Sequence, residues 1–161
     1  MDLYDTLHQH NIDYQRVDHA AVYTCDEADQ LLPNLPGAKT KNLFLRDRKG
    51  KRHFLVVVSG TKAVDLKALA KMLAVNSLGF ASPERLQQHL QLTPGSVSVL
   101  AILNDQERAV GLVIDQPIWD ADNVQCHPLV NTATLVLPVA DLKRLLSELE
   151  RPVTVVEIPE K

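Results

Sequence analysis

The sequence predicts a single α/β domain, spanning residues 1–161, in which helices flank a mixed β-sheet. The chain has 161 residues, the size of one domain, and no linker, repeat or low-complexity tract divides it. Apolar residues make up 45% of the chain and charged residues 23%, which excludes disordered, collagen-like and disulfide-scaffold proteins. Hairpin patterns also alternate with helical patterns, and this favours a mixed sheet over a regular doubly wound sheet.

The first part of the chain predicts a helix, a strand and a second helix. Apolar residues recur with helical spacing over residues 3–12, and residues 14–19 alternate as a strand does. Thr24 and Glu27 have the spacing of a capping box, in which each side chain bonds the backbone amide of the other. The short helix that follows should end before Pro33, because the residue preceding a proline disfavours helical geometry.

The centre of the chain predicts a β-hairpin. Two β-rich runs, residues 41–47 and 53–58, are joined by a turn in which Gly50 can supply a positive φ angle. Ser82 and Pro83 predict a helix start, because serine caps the first amides and proline fits the first helical position. The remaining patterns predict a helix at 64–73, a loop at 93–96, strands at 97–103, 109–114, 135–137 and 154–156, and an amphipathic helix at 139–150.

Positive charge is concentrated in one segment, although the chain as a whole has a net charge of −3. Ten of the 17 Lys and Arg residues lie between Lys39 and Lys71, against only two acidic residues, so this segment is +8 and the remainder −11. One interpretation is a solvated hairpin tip and a polar helix face. The other is a footprint for part of a nucleic acid backbone, with Lys39, Arg46 and Lys62 as candidate contacts.

Several polar residues among the apolar runs are ambiguous from pattern alone. Lys41 and Asn42 open a strand, where a polar pair is usually solvated, and His127 stands alone, as structural histidines do. Cys25 and Cys126 show no CxxC spacing and indicate reduced thiols in a cytoplasmic protein. Cys25 is either a small packing residue or a nucleophile at a helix N-terminus.

Other kinds of site are excluded by the motifs that the sequence lacks. It has no HExxH motif, no Cys/His cluster, no GxSxG motif and no Walker loop, so we expect no metal and no cofactor. It begins with an acidic stretch unlike a targeting segment, and its apolar runs are too short to span a membrane. The residues by themselves indicate an α/β domain with one basic edge.

Five segments resemble, in family order, the YbaK/ProX family of trans-editing aminoacyl-tRNA deacylases, which are freestanding relatives of the editing domain inserted in bacterial prolyl-tRNA synthetase. They begin at Asp18, Lys39, Thr93, Leu103 and His127 and read DHAAVYT, KTKNLFLRD, TPGSV, LND and HPLVNTAT. Each segment alone is a weak signal, but five in order over nearly the whole chain are specific. KNLFL together with HPLVNTAT is most similar to the ProX branch, which removes alanine from proline tRNA; the YbaK branch removes cysteine.

The resemblance implies the YbaK/ProX fold and hydrolysis of the ester that joins an amino acid to the 3′-terminal adenosine of tRNA. This reaction needs an aligned water and stabilisation of the oxyanion, and in this family a ribose hydroxyl is thought to help activate the water. Lys41 would hold the terminal phosphate and ribose, and His127 would contact the aminoacyl group. The Gly95-Ser96 loop would direct backbone amides at the carbonyl oxygen or the water.

The resemblance also implies a small binding pocket. The residues implied to bind the substrate are Asn42, Val22, Tyr23, Thr24, Phe44, Asn131 and Thr132. A synthetase pocket built for proline cannot strongly reject alanine, because a missing methylene is worth only about 1–3 kcal/mol. A second, smaller pocket can admit alanine and exclude proline, so we expect an Ala-tRNA(Pro) deacylase. The alternatives are a deacylase for serine or cysteine and a non-catalytic module that binds tRNA or a synthetase.

Two departures from the family pattern affect the expected pocket. Val99 stands where the family loop often has a proline, and Ala20 stands where many relatives have a proline after the histidine. The stiffness of both segments should therefore differ from that in relatives. The implied partner is the acceptor end of mischarged tRNA(Pro), with prolyl-tRNA synthetase as a further candidate. We expect a monomer or weak dimer in the cytoplasm, without membrane contact.

Overall fold

Residues 2–22, 27, 30–31 and 35–161 are described by a computed structural model. Their strands are β1 Gln15–Asp18, β2 Thr40–Asp47, β3 His53–Ser59, β4 Leu78–Phe80, β5 Val110–Asp115, β6 Asn123–Cys126, β7 Ala133–Pro138 and β8 Val153–Val156. The α-helices bounded within them are α1 Leu3–Gln9, α2 Leu66–Met72, α3 Pro83–Leu90, α4 Gln116–Trp119 and α5 Val139–Glu148. A 3₁₀ helix covers Val99–Asn104, and residues 27, 30 and 31 are also helical. Across these ranges, each helix is too short or too polar to cross a bilayer.

The strands form a mixed sheet and a smaller antiparallel sheet, which confirms the predicted α/β class. The large sheet has the order β4-β2-β3-β5-β8. Its β4, β2 and β3 pair antiparallel, whereas β3, β5 and β8 pair parallel. The small sheet has the order β1-β7-β6. The predicted hairpin is confirmed as β2 and β3, and Gly50 makes its turn with a φ of 68°.

The large sheet packs a separate core on each of its faces, because side chains alternate along a strand. On β2, Phe44 joins the larger core together with residues of β6 and β7. Leu45 joins a smaller core with Leu69 of α2. We call the face of the sheet that carries Phe44 the inner face and the face that carries Leu45 the outer face. Asn42 lies two residues before Phe44 on β2 and therefore lies on the inner face. Lys41 lies four residues before Leu45 and therefore lies on the outer face.

The predicted strand at 97–103 is wrong, because most of this segment forms the 3₁₀ helix. Ser98 caps that helix, since its hydroxyl accepts a hydrogen bond from the backbone N–H of Leu100 at 3.2 Å. The helix begins with four buried apolar residues, so the sequence carries no periodicity that separates helix from strand. The prediction also omits β4, α4 and β6, which have three or four residues each.

Lys62 is buried in an ion pair, so its predicted role as a tRNA contact is wrong. Its Nζ lies 3.0 Å from Asp115 and 2.9 Å from the carbonyl oxygen of Ile158, and its side chain is 7% exposed. Asp115 is fully buried and also accepts hydrogen bonds from Ser59 and from the backbone N–H of Ile158. Burial alone would raise the pKa of Asp115, but these hydrogen bonds outweigh burial and lower the pKa.

Replacing Lys62 should test this buried pair. We expect Lys62→Met to lower the free energy of unfolding by about 3–5 kcal/mol, because it leaves the Asp115 carboxylate buried without its counter-charge. Urea denaturation followed by circular dichroism measures the loss. The control Lys67→Met, at an exposed position of α2, should change the free energy by less than about 0.5 kcal/mol. Equally small effects of the two substitutions would contradict the assignment.

A cluster of ring side chains closes the far end of the hairpin. His53 is 5% exposed, and its ring centroid lies 4.2 Å from that of His89 and 5.6 Å from that of Phe44. Nη1 of Arg85 lies 3.1 Å from Nε2 of His53, so the guanidinium donates to an unprotonated ring nitrogen. Burial in the first place, followed by the charges of His89 and Arg85, lowers the pKa of His53 to about 4. The ring is therefore neutral at neutral pH.

Acid should destabilise the fold through His53. The pKa of this ring falls from 6.5 to about 4 on folding, so its contribution is complete above pH 6.5 and is lost as the pH falls toward 4. The loss amounts to about 3 kcal/mol. We expect His53→Phe to flatten the dependence of unfolding free energy on pH between 7 and 4, measured by urea denaturation. His8→Gln, at an exposed position of α1, should keep the parent slope; a parent slope in His53→Phe would contradict the prediction.

Candidate active site

A gap in the edge of the large sheet lies beside the start of β2. A bridge between Ala38 and Val124 makes the residues before β2 run parallel to β6. β6 ends at Cys126, and β4 pairs with β2 only from Leu45 onward. Among the residues that the structure describes, no strand therefore pairs with this edge of β2 at residues 41–43. We call this stretch the sheet gap.

Three of the predicted site residues border the sheet gap. Lys41 follows Ala38 by three residues and His127 follows Val124 by three, and the two segments run side by side as far as Thr40, whose hydroxyl donates to the carbonyl of Gln125 at 2.9 Å. Asn42 is the next residue on β2 and lies on the opposite face from Lys41. Because none of the described strands covers this edge of β2, we infer that groups on both faces can reach one ligand in the gap.

Two of these residues carry polar groups that lack a partner. In the described part of the chain, Oδ1 of Asn42 is buried and accepts no hydrogen bond. Lys41 is half-buried as a residue, and its ammonium group likewise forms no ion pair or hydrogen bond with any described residue. An unpaired buried amide oxygen costs about 1–3 kcal/mol, so its presence in a fold calls for a functional explanation. Both groups are suited to a polar ligand.

The imidazole ring of His127 is neutral at neutral pH, and its Nε2 can accept a hydrogen bond. Its Nδ1 lies 3.1 Å from the carbonyl oxygen of Ala133, which can only accept. The proton therefore sits on Nδ1, and Nε2 carries the lone pair. Burial lowers the pKa of His127 more than the Ala133 bond raises it, and a charge on His19 lowers it further. At neutral pH the ring can accept a proton or a hydrogen bond through Nε2.

The loop at 93–96 is anchored on the inner face of the large sheet, because Leu92 and Val97, which flank it, pack into the larger core. It is a type II turn, because Gly95 has a φ of 93° after a proline and Ser96 donates its N–H to the first carbonyl of the loop at 3.2 Å. Two residues later, the hydroxyl of Ser98 hydrogen-bonds the thiol of Cys126, at the end of β6. This contact ties the chain that follows the loop to the end of β6. The N–H of Ser96 is occupied within the turn.

Asn131 and Thr132 support the segment that follows β1, residues 19–22. The amide of Asn131 donates to the carbonyl of Val22 at 3.0 Å, and the carbonyl of Asn131 accepts from the N–H of Val22 at 3.2 Å. The carbonyl of Thr132 accepts from the N–H of His19 at 2.9 Å. Val22 is 2% exposed. Both predicted residues thus hold a buried side chain in place beside the loop that carries His127.

The other predicted residues are spread along β2. Lys39 is half-buried just before the strand, and Phe44 is buried on the inner face. Arg46 lies five residues beyond Lys41, at a distance of about 17 Å for an extended strand. Its guanidinium donates to two backbone carbonyls of the hairpin turn at 3.1 Å each. Lys39 is therefore next to the sheet gap, whereas Arg46 is at the far end of the hairpin.

Cysteine and metal chemistry find little support in the described residues. The Cys126 thiol is 4% exposed, and burial raises its pKa to about 12, so it stays protonated at neutral pH. Across the described ranges, His, Cys, Asp and Glu side chains do not gather in threes that could hold a metal ion. Three residues of the sequence analysis, Tyr23, Thr24 and Cys25, lie outside the described residues, as does most of the predicted capping box.

A second concavity, of about 360 Å³, lies between α1, the end of the 3₁₀ helix and the residues after α5. We call it the α1 groove. Both arginines that line the groove bind other groups of the protein. Arg151 lies 2.6 Å from the Asp105 carboxylate, and Arg108 donates to the carbonyls of Leu149 and Glu150. Of the predicted site residues that the structure describes, none lines the α1 groove, so the sheet gap remains the candidate active site.

Comparison with known proteins identifies the family. Residues 19–145 match the model of the aminoacyl-tRNA editing domain. The chain belongs to this family. It is 39% identical over 140 residues to the prolyl-tRNA editing protein ProX of Acetoanaerobium sticklandii, a match that covers 87% of this chain and 85% of that protein. It is 35% identical over 149 residues to prolyl-tRNA synthetase associated domain-containing protein 1 of Danio rerio, covering 91% and 80%.

Solved structures show the same fold at lower sequence identity. A proposed trans-editing enzyme for prolyl tRNA synthetase superposes with a TM-score of 0.72 at 20% identity, covering 99% of this chain and 95% of the other. The hypothetical protein APE2540 superposes with a TM-score of 0.74 at 17% identity, covering 96% and 97%. The editing domain family confirms the predicted resemblance and the predicted class of enzyme, an aminoacyl-tRNA hydrolase.

Proposed function

We propose that this editing domain removes alanine from mischarged tRNA(Pro), acting in the cytoplasm beside prolyl-tRNA synthetase. The observation that carries the proposal is the buried, unpartnered Oδ1 of Asn42 at the sheet gap, next to the unpaired ammonium of Lys41. The names of the relatives, which refer to prolyl-tRNA editing and to prolyl-tRNA synthetase, support the choice of tRNA.

The polar groups at the sheet gap have complementary roles in this reaction. The α-ammonium group of the aminoacyl moiety has three donors, and Oδ1 of Asn42 and Nε2 of His127 are the acceptors that meet it. Lys41 binds the terminal phosphate and ribose as a compact positive charge. The backbone N–H of Gly95 faces the ester carbonyl, where an oxyanion develops during attack by water, since the N–H of Ser96 is used within the turn.

Hydrolysis at this site needs no nucleophile from the protein. A water oxygen adds to the ester carbonyl carbon, and the bond between that carbon and the ribose oxygen breaks. The ribose oxygen leaves with a proton that originates from the water, so the products are free alanine and a tRNA with an intact terminal hydroxyl. A neighbouring ribose hydroxyl orients the water, in line with the family resemblance.

The size of the side-chain pocket determines which amino acid is removed. In this proposal the walls of the pocket are Val22 and Phe44, whose side chains are buried. Discrimination by size against a smaller substrate is weak, about 1–3 kcal/mol per methylene, but a closed wall excludes a larger one by steric overlap. Alanine therefore enters and proline is excluded, the reverse of the discrimination in a synthetase pocket.

A deacylation panel tests this proposal. Purified protein should hydrolyse Ala-tRNA(Pro) at substoichiometric enzyme concentration and leave Pro-tRNA(Pro) at the uncatalysed rate. Ser- and Cys-tRNA(Pro) measure the neighbouring specificities, and Ala-tRNA(Ala) measures the contribution of the tRNA. Faster removal of serine or cysteine would reassign the substrate. Binding of tRNA without any hydrolysis would contradict the proposal and favour a non-catalytic module.

A further inference from the structure

His19 makes three hydrogen bonds at the point where β1 ends. Its backbone N–H donates to the carbonyl of Thr132 at 2.9 Å. Its ring Nδ1 lies 2.7 Å from the carbonyl of Ala20, so Nδ1 carries the proton. Its ring Nε2 lies 2.8 Å from Oγ1 of Thr134, so it accepts a hydrogen bond from that hydroxyl. The orientation of the ring is therefore determined at both nitrogens.

The partners of His19 belong to the same short stretch of chain that orients His127. Thr134 is 5% exposed and holds the ring of His19. The preceding residue, Ala133, is fully buried, and its carbonyl accepts the Nδ1 proton of His127 at 3.1 Å. A shift of residues 133–134 would therefore move the acceptor that determines which nitrogen of His127 carries the proton.

We propose that His19 is a positioning residue for His127, acting through Thr134 and Ala133. The proposal rests on the proposed function, in which Nε2 of His127 meets the substrate. His19 itself need not touch the substrate. It holds residues 133–134 in the register that presents the Ala133 carbonyl to Nδ1 of His127, and so keeps the lone pair on Nε2 aimed at the sheet gap.

The two histidines are also coupled by charge. Among the described residues, His19 is the only ionisable group that acts on His127, and His19 lowers the pKa of His127 when its ring is protonated. The other charged groups close to His19 on β1 are Arg16 and Asp18, which pair with each other at 2.9 Å in an exposed position. Removing the imidazole of His19 should therefore raise the pKa of His127, an effect that a purely structural residue would not produce.

A pair of substitutions at Thr134 tests the positioning role. Thr134→Val keeps the shape of the side chain and removes the hydroxyl, whereas Thr134→Ser keeps the hydroxyl. We expect Thr134→Val to lower kcat on Ala-tRNA(Pro) by about tenfold to a hundredfold, with KM changed less than about threefold, because misplacement of a catalytic group affects the chemical step. Thr134→Ser should restore kcat to within about threefold of the parent. Equal kcat for the valine and serine variants would overturn the proposal.

A measurement on the free protein separates this proposal from the proposed function. Long-range ¹H–¹⁵N NMR spectra of the histidine rings report which nitrogen carries the proton, and a pH titration reports the pKa. We expect the Nδ1-protonated form for His127 in the parent, a mixture of both forms in Thr134→Val, and a raised His127 pKa in His19→Gln. Unchanged His127 signals in both variants would overturn the positioning role even if the parent removes alanine. If the His127 signals change in the variants but the parent has no deacylase activity, the positioning role is supported and only the proposed function is contradicted.

Discussion

Replacing Lys41 with methionine should lower kcat/KM for deacylation of Ala-tRNA(Pro) by about 10²-fold, because the charge that positions the terminal phosphate and ribose for attack is lost. Lys41, which is half-buried as a residue, brings an ammonium group to the sheet gap with no partner among the described residues. Methionine retains the length of the side chain and removes only the charge. Because no ion pair is broken, the midpoint of thermal unfolding should stay close to that of the parent.

The control for Lys41 is another lysine of the same hairpin. Lys49→Met removes a positive charge from the exposed turn between β2 and β3. If the basic segment binds tRNA mainly as a diffuse charged surface, both substitutions should raise KM and reduce its dependence on salt by similar amounts. The account predicts instead that only Lys41→Met lowers kcat. A parent-like kcat in Lys41→Met would move the catalytic centre away from the sheet gap.

Replacing Asn42 with leucine should make the protein more stable and less active. The unpartnered Oδ1 of Asn42 costs the fold free energy, and leucine of similar shape removes this buried polar atom from the inner core. We expect the midpoint of thermal unfolding, measured by calorimetry, to rise by about 2–4 °C. We expect kcat/KM for Ala-tRNA(Pro) to fall by about a hundredfold, because the acceptor for the substrate is lost.

Asn104 offers a matched control for this substitution. Its side-chain amide donates to the carbonyl of Leu90 at 2.8 Å, so this asparagine is partnered within the protein. Asn104→Leu should lower the midpoint of unfolding and leave kcat/KM within about threefold of the parent. A fall in stability for Asn42→Leu as well would show that Asn42 serves the fold and would remove the main argument for the site.

The elements that position the site could be predicted where the sequence carries a periodic or a capping signal. The β2–β3 hairpin follows from alternation and from Gly50, and the start of α3 follows from Ser82 and Pro83, whose cap is observed as a hydrogen bond at 3.2 Å. The short strand β6 has four residues and no such signal. The sheet gap depends on where β6 ends, so it could not be derived from the pattern of residues.

The family resemblance names the candidate site residues, but it does not show which residues each of them contacts. Lys62 illustrates the difference. In the sequence it is one lysine of a basic segment, and no pattern links it to Asp115, 53 residues away, whose carboxylate neutralises it in the fold. Asn42 and His127 look like a solvated residue and an isolated histidine in the sequence. Only the fold shows that one is buried without a partner and that the other is oriented by Ala133.

The most direct test of the sheet gap as the editing site is a crystal structure of the protein with a non-hydrolysable amide analogue of 3′-alanyl-adenosine. The account predicts the analogue in the sheet gap, with its ammonium group within hydrogen-bond distance of Oδ1 of Asn42 and Nε2 of His127 and its ribose beside Lys41. Binding in the α1 groove beside Arg108 and Arg151, or an empty sheet gap at saturating analogue, would contradict it.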